Sequence, residues 1–329
     1  MIPSEIIFIS DLVAIFAIYL IINLSLNLEF GYGGVPNFGK VLAVAAGAFV
    51  VPMVTLSLLG AALSVDSSGD NLAVVDEINR GLAAEPLLGV GVFAVAAIAA
   101  MAAGAGLGLV SAYPAVRLRG DYLAITLLAF GEIIRIVGIN YEPLVGGTLG
   151  VSVPDVLSFV PDDLRFASAS VVLAAVAGVV YLLVSRFTRS PVGRLLRATR
   201  DDEVALQSLG RDPAKVRIKV LMLAGMIGAL GGMMYASYAE GVIAFGYNRL
   251  NWTFLPFVMV IVGGLANNKG VLLGTFIFVV IRKLVVYYND NFEGFVPFDI
   301  IWLDYLLLGG LMLAVLLFRP KGILPERPQ

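Results

Sequence analysis

The chain has 329 residues, 59% of them hydrophobic and 14% charged, with a mean hydropathy of +0.93. These values lie outside the soluble globular range and identify a polytopic membrane protein. A formal charge of -2 leaves no general basic surface for nucleic acid, and the absence of Cys and His excludes disulfides, thiol nucleophiles, imidazole metal sites and histidine acid–base chemistry.

Apolar runs long enough to cross roughly 30 Å of hydrocarbon fall at 8–28, 41–60, 88–112, 122–139, 167–185, 218–238, 252–266, 270–288 and 300–318. The expected fold is all-α: a single transmembrane domain over 1–329, built as a polytopic bundle of about eight to ten membrane segments in contact with lipid. No Lys or Arg precedes Lys40, so the N-terminus lacks the basic region of a signal peptide and reads as the first span. A Gly-rich break at 31–39 follows it. Glu132 and Arg135 stand three residues apart in the fourth run and share a helix face, as a structural ion pair or as part of a substrate path. Gly146, Gly147 and Gly150 follow that run at its outer end.

The 189–219 segment is the only long polar stretch with helical punctuation of its own. Ser190-Pro191 reads as a cap and first-turn proline, Gly210 as a stop, and Asp212-Pro213 as a second start. Thr199 and Asp202 have capping-box spacing, which predicts a helix-turn-helix broken near Thr199. Only Asn267, Asn268 and Lys269 separate the seventh and eighth runs, which predicts a tight turn or re-entrant pair. Arg282 and Lys283 within the eighth run are expected to snorkel, to face a polar interior or to mark a half-helix. Asp304, early in the last run, is expected near the outer interface and solvated.

Charge distribution orients the spans. With the 189–219 loop inside, sixteen basic residues fall on the cytoplasmic side: Lys40, Arg117, Arg119, Arg186, Arg189, Arg194, Arg197, Arg200, Arg211, Lys215, Arg217, Lys219, Lys269, Arg319, Lys321 and Arg327. Only Arg80, Arg165 and Arg249 fall outside. This predicts a cytoplasmic loop and C-terminus, with acidic outer loops facing any external partner.

Two glycine clusters repeat. GGVPNFGKVL from Gly33 matches GGLANNKGVL from Gly263 at Gly33/Gly263, Gly34/Gly264, Asn37/Asn267, Val41/Val271 and Leu42/Leu272. Breaks at corresponding points suggest an internal duplication whose broken helices line a path. The candidates for that path are Gly33, Gly34, Asn37, Glu132, Arg135, Gly146, Gly147, Gly150, Gly263, Gly264 and Asn267. GVPNFGK has phosphate-loop spacing up to Lys40, but Val41 follows where Ser or Thr would hold magnesium, and no strand precedes it. No stretch reads as an ATPase, catalytic centre, metal site or cofactor site.

RLRGDYLAITLLAFGEIIRI at Arg117, GGTLG at Gly146, SPVGRLLRATRDDEVALQSLGRDPAKVR at Ser190, GGLANNKGVLLG at Gly263 and FRPKGIL at Phe318 resemble the branched-chain amino-acid ABC transporter permeases of the LivM type. The resemblance spans nearly the whole chain. It implies a permease without catalytic chemistry, paired with a LivH-type second permease, two cytoplasmic ATP-binding subunits and an extracytoplasmic substrate-binding protein. It also implies that 189–219 is a cytoplasmic coupling loop, with Arg194, Arg197, Asp201, Asp202, Glu203, Ala205 and Gly210 as the coupling candidates. Lys40 stands where such permeases often carry His. Two other readings remain: a permease of the same family for urea, an amide or another small solute, and an ion-coupled secondary carrier that would use Glu132 or Arg135.

Overall fold

The computed structural model describes residues 4–65, 70–287, 306, 309–310, 312–315, 317–319 and 321–326. The chain is an all-α membrane bundle. Among the described residues, seven helices are long and apolar enough to span a bilayer. They are α1 (Ser4–Leu26, continued by a π-helical turn Asn27–Tyr32), α2 (Lys40–Leu63), α4 (Pro86–Arg117), α5 (Gly120–Asn140), α7 (Asp162–Arg189), α10 (Pro213–Tyr238) and α12 (Asn268–Tyr287). Between them lie α3 (Asn71–Ala84), α6 (Glu142–Val145), α8 (Pro191–Asp201), α9 (Glu203–Ser208) and α11 (Leu255–Gly263). The apolar run at 300–318, with Asp304, lies mostly outside the described residues.

α10 is the centre of the bundle, and small residues put it there. A methyl group on Gly104 would sit 2.3 Å from the Gly225 carbonyl oxygen, and one on Gly232 would sit 1.9 Å from that of Val44. Backbones of α4, α10 and α2 therefore touch, which is how helices associate where lipid removes the hydrophobic drive between them. The outward faces of α4, α5 and α7 carry exposed Ile98, Leu109, Ile125, Ile133, Val171 and Leu182, as lipid contact demands.

Two of the membrane segments are interrupted. After Tyr32 the chain reverses through Gly34 (φ +68°) and Pro36 before α2 starts at Lys40. That start lies inside the bundle: Lys40 reaches the Ala224 carbonyl, eleven residues into α10, roughly 16 Å from its beginning at 1.5 Å per residue. The second interruption runs from Tyr238 to a short apolar helix, Leu250–Gly263, whose first turn is π-helical. Its fourteen residues cover about 21 Å, too little for a bilayer. The seventh predicted run is thus a half-length helix that turns at 264–267 into α12. The two interruptions meet where the Val41 amide donates to Thr253 Oγ1 at 3.1 Å.

The end of the bundle opposite the 189–219 segment is more than a connecting loop. α3 buries Val74, Val75, Ile78 and Leu82 on one stripe, and two short strands, β1 (Val151–Ser152) and β2 (Gly241–Val242), pair antiparallel with Val151 opposite Val242.

Candidate functional site

The 189–219 segment folds as two capped helices followed by the start of α10. Ser190 Oγ accepts from the Val192 amide at 3.2 Å, and Asp212 Oδ1 accepts from Ala214 at 2.9 Å, so both Asx/Ser-Pro starts form as the sequence predicts. The break between them lies at Asp202 rather than near Thr199. Asp202 is itself the cap of α9, accepting from Val204 (2.9 Å) and Ala205 (3.0 Å), while Thr199 donates to the Leu195 carbonyl within α8. An aspartate with extended backbone (φ -155°) supplies the cap directly, so no capping box is needed.

The charges of this segment divide into two sets. Glu203 is largely buried and accepts from both Arg119, at the head of α5, and Arg217, in the first turns of α10. Arg197 and Arg200 both pair with Glu326 of the C-terminal tail, at 3.2 and 2.9 Å. Arg200 Nη1 also donates to the Gly31 carbonyl at 2.7 Å, and the Arg197 guanidinium lies over the Tyr32 ring. Arg194, Asp201, Asp202, Ala205 and Gly210 face outward. Beside them Val204 and Leu209 are 72% and 79% exposed, apolar side chains on an otherwise charged surface.

The tail connects this segment to the second glycine cluster. Ile323 and Leu324 amides donate to the Val262 and Gly263 carbonyls at 2.9 and 3.0 Å, and Asn267 Nδ2 donates to Leu324 and Pro325 carbonyls. Gly264 adopts φ +118° with the Leu324 carbonyl where a side chain would stand, so glycine is required there. The two clusters also touch: Asn27 Oδ1 accepts from the Ala266 amide (2.9 Å) and its Nδ2 donates to Asn268 (3.0 Å). α8 is therefore joined to both interruptions, directly at Gly31 and through Glu326 at Gly263.

A model of the family described as branched-chain amino acid transport system / permease component matches residues 8–316. The chain belongs to that family. It is 39% identical to a probable branched-chain amino acid transport permease protein LivM of Methanocaldococcus jannaschii, over 95% of this chain and 92% of that one. It is 28% identical to the high-affinity LivM permease protein of Escherichia coli, over 97% of this chain and 71% of that one. A guanosine ABC transporter permease protein, NupQ of Bacillus subtilis, is 28% identical over 43% of this chain and 47% of its own. No solved structure matches. A LivM-type permease, a transport subunit rather than an enzyme, also accounts for the multi-pass architecture.

The polar core of the permease lies where the sequence reading placed a loop. Lys40 is 0% exposed and Glu29 1%, and their side chains pair at 3.2 Å. Lys40 Nζ also contacts Ser25 Oγ and the Ala224 carbonyl, and Asn37 Nδ2 donates to Glu29 at 3.2 Å while its Oδ1 accepts from Gly39. Lys40 is thus not a cytoplasmic loop cation but half of a buried ion pair at the start of α2. Desolvating two charges is tolerated because each is paired and hydrogen-bonded. The sequence signal was available: Glu29 and Lys40 are the charges flanking the 31–39 break after seventeen uncharged residues, 12–28.

A second line of buried polar groups runs down α1 at spacings of four or eight residues. Asp11 pairs with Lys283 and accepts from Tyr238, Arg282 donates to Tyr19 (3.3 Å), Asn23 donates to Thr275 (2.7 Å), and Asn27 meets Asn268. Arg282 and Lys283 therefore face the interior, against α1. Glu132 and Arg135 pair along α5, with Arg135 Nε donating at 2.9 Å. Gly146 (φ +68°), Gly147 (φ +62°) and Gly150 (φ +81°) form the turn that leads into β1, with Gly150 packed against Val242 and Ile243 at the start of the second interruption.

Proposed function

We propose that the chain is the LivM-type half of an ATP-driven importer for branched-chain amino acids. Its partners would be a LivH-type second permease, two cytoplasmic ATP-binding subunits and an extracytoplasmic substrate-binding protein. The observation that carries this reading is the 189–219 segment: two capped helices with Val204 and Leu209 turned outward beside Arg194, Asp201 and Asp202, and with Arg197, Arg200 and Glu203 turned inward to the bundle. The ATP-binding subunits dock on the outward face. Closure of those subunits on ATP then pulls α8 and α9, and Glu203, Arg197 and Arg200 pass the displacement to α5, α10, the tail and the two interruptions. Only rigid, hydrogen-bonded links transmit such a movement. The basic residues around this face and the tail that pairs with it support a cytoplasmic position for both.

Uptake of radiolabelled leucine by proteoliposomes holding the full set of subunits tests the proposal. Uptake is expected only with ATP inside and loaded binding protein outside. Uptake by the chain alone under an ion gradient would overturn it in favour of a secondary carrier. The guanosine-named relative supports a second reading, in which the same machinery moves another small solute. Substitution of guanosine or urea for leucine as the accumulated solute would establish that alternative.

A further inference from the structure

The outer end of the bundle holds a cavity of ≈ 550 Å³ between α4, α7 and α10, within the range of small-molecule sites. Its walls are apolar, with Phe93 from α4, Phe166 and Val172 from α7, and Met234 from α10. Its mouth is charged, with Asp155, Arg165 and Glu240. Val172 lies seven residues beyond Arg165 on α7 and is 40% exposed, as Val90 on α4 is 53% exposed, so the cavity runs roughly 10 Å along α7 from the charged mouth and opens between helices toward lipid.

The charges at the mouth are unequal. Arg165 is committed to Asp155 (3.3 Å) and to the Ser158 and Val160 carbonyls (3.3 Å each). Asp155 is held by a turn, its Oδ1 accepting from the Leu157 amide and its own amide donating to Asn79. Its Oδ2 is buried and faces Arg165 Nε in that ion pair. Glu240 is anchored through its backbone, whose carbonyl accepts from the Val153 amide beside the β1–β2 pair (2.9 Å), and it adopts φ +50°. Among the described residues its carboxylate has no hydrogen bond or ion pair. Burial and then Asp155 raise its pKa above the ordinary carboxylate range, with Arg165 opposing. Asp155 is thus engaged by Arg165 and the Leu157 amide, which leaves the exposed carboxylate of Glu240 above the apolar cavity.

We infer that this cavity is a binding site for a primary ammonium on a branched or extended aliphatic body, with the ammonium held by Glu240 beside the Asp155–Arg165 pair and the aliphatic part against Val172 and Phe93. Two sources share that chemistry. One is the aliphatic amino acid of the proposed transport reaction, whose carboxylate would face Arg165, and this assignment rests on that reading. The other is an aminophospholipid of the outer leaflet, whose acyl chain would follow α7.

The test uses the full chain in nanodiscs of phosphatidylcholine and phosphatidylglycerol, which carry no primary amine. Isoamylamine, which is leucine without its carboxylate, is expected to bind and to compete with labelled leucine. Isocaproate, which is leucine without its amine, is expected not to. Glu240→Gln should weaken isoamylamine about tenfold or more, the scale of a lost charged hydrogen bond. Val172→Trp and Val90→Trp, which fill the cavity from two helices, should abolish binding with the charges intact. In nanodiscs doped with phosphatidylethanolamine, native mass spectrometry should show that lipid retained by the parent chain and lost from the same variants if lipid is the occupant. The inference falls if neither isoamylamine nor phosphatidylethanolamine binds, if isocaproate competes equally, or if all three variants bind as the parent does.

Leucine uptake by the complete transporter separates the two sources. Normal uptake by variants that have lost binding assigns the cavity to lipid, and loss of both assigns it to the substrate. A parent transporter that moves no leucine removes the import reading and leaves the binding result standing.

Discussion

Two amphipathic segments lie outside the membrane, and they are attached to it in opposite ways. α3, at the end of the bundle away from α8 and α9, turns Val74, Val75, Ile78 and Leu82 inward and leaves Asp76, Glu77 and Arg80 in solvent, with Leu72 in its first turn its one large exposed apolar residue. Its polar attachments are two asparagines, Asn71 and Asn79, accepting from the Ser152 and Asp155 amides. α8 and α9 bury little apolar area beyond Leu196 and Leu206. They are held by Glu203, Arg197 and Arg200 and show Val192, Val204 and Leu209 to solvent. A helix pair that turns Glu203, Arg197 and Arg200 inward and Val204 and Leu209 outward gains little by standing alone. The arrangement makes sense where a protein partner covers the apolar face and where the inward links must carry force.

The largest effect should come from the outward apolar residues. Val204→Asp with Leu209→Asp is expected to lower ATP-dependent uptake by at least about tenfold, since interface anchors carry most of the binding free energy. The thermal midpoint of the isolated chain should not change. A fall in that midpoint equal to the loss of uptake would make these residues structural. Next comes the apolar stripe of α3: Ile78→Ala should cost about 2–5 kcal/mol of stability, as deletion of a buried aliphatic side chain does, read from denaturant or thermal unfolding in detergent. Glu203→Gln should cost less, roughly 1.5–3 kcal/mol for charge-assisted bonds to Arg119 and Arg217. It should uncouple ATP hydrolysis from uptake more than it destabilises the fold, and a variant with normal coupling would break the comparison. Smallest of all is Asp76→Asn on α3, whose partner Arg80 is fully solvated. It should leave both the midpoint and uptake unchanged.

The buried pair offers a sharper form of the same contrast between charges that hold structure and charges that are merely solvated. Lys40→Met alone should cost about 3–5 kcal/mol because it leaves Glu29 buried without its cation. Lys40→Met combined with Glu29→Gln should recover most of that, and a double variant no better than the single one would show that the two side chains act separately.

Features set by near neighbours in the chain were legible in the sequence. Ser190-Pro191 and Asp212-Pro213 start helices because cap and proline act within one turn, and Glu132 meets Arg135 because three residues bring side chains onto one face. Seven of the nine apolar runs are spans; 252–266 is a helix too short to cross, and 300–318 lies mostly outside the described residues. α3 was legible in principle from Val74, Ile78 and Leu82 at intervals of four, but its charges read as loop. The break at Asp202 was misplaced because Thr199 offered an equally plausible local cap.

What the sequence by itself determined is therefore a polytopic membrane protein with a basic, doubly capped loop and two glycine-rich breaks, since hydropathy, capping and side-chain periodicity are local properties. Tertiary structure decided which charges link distant segments. Glu203 finds Arg119 across 84 residues, and Arg200 finds Glu326 across 126. Lys40 enters the bundle because Gly47, Gly104 and Gly232 let helix backbones touch. Those pairings depend on where whole helices cross, and crossing positions are set by close packing between segments far apart in the chain.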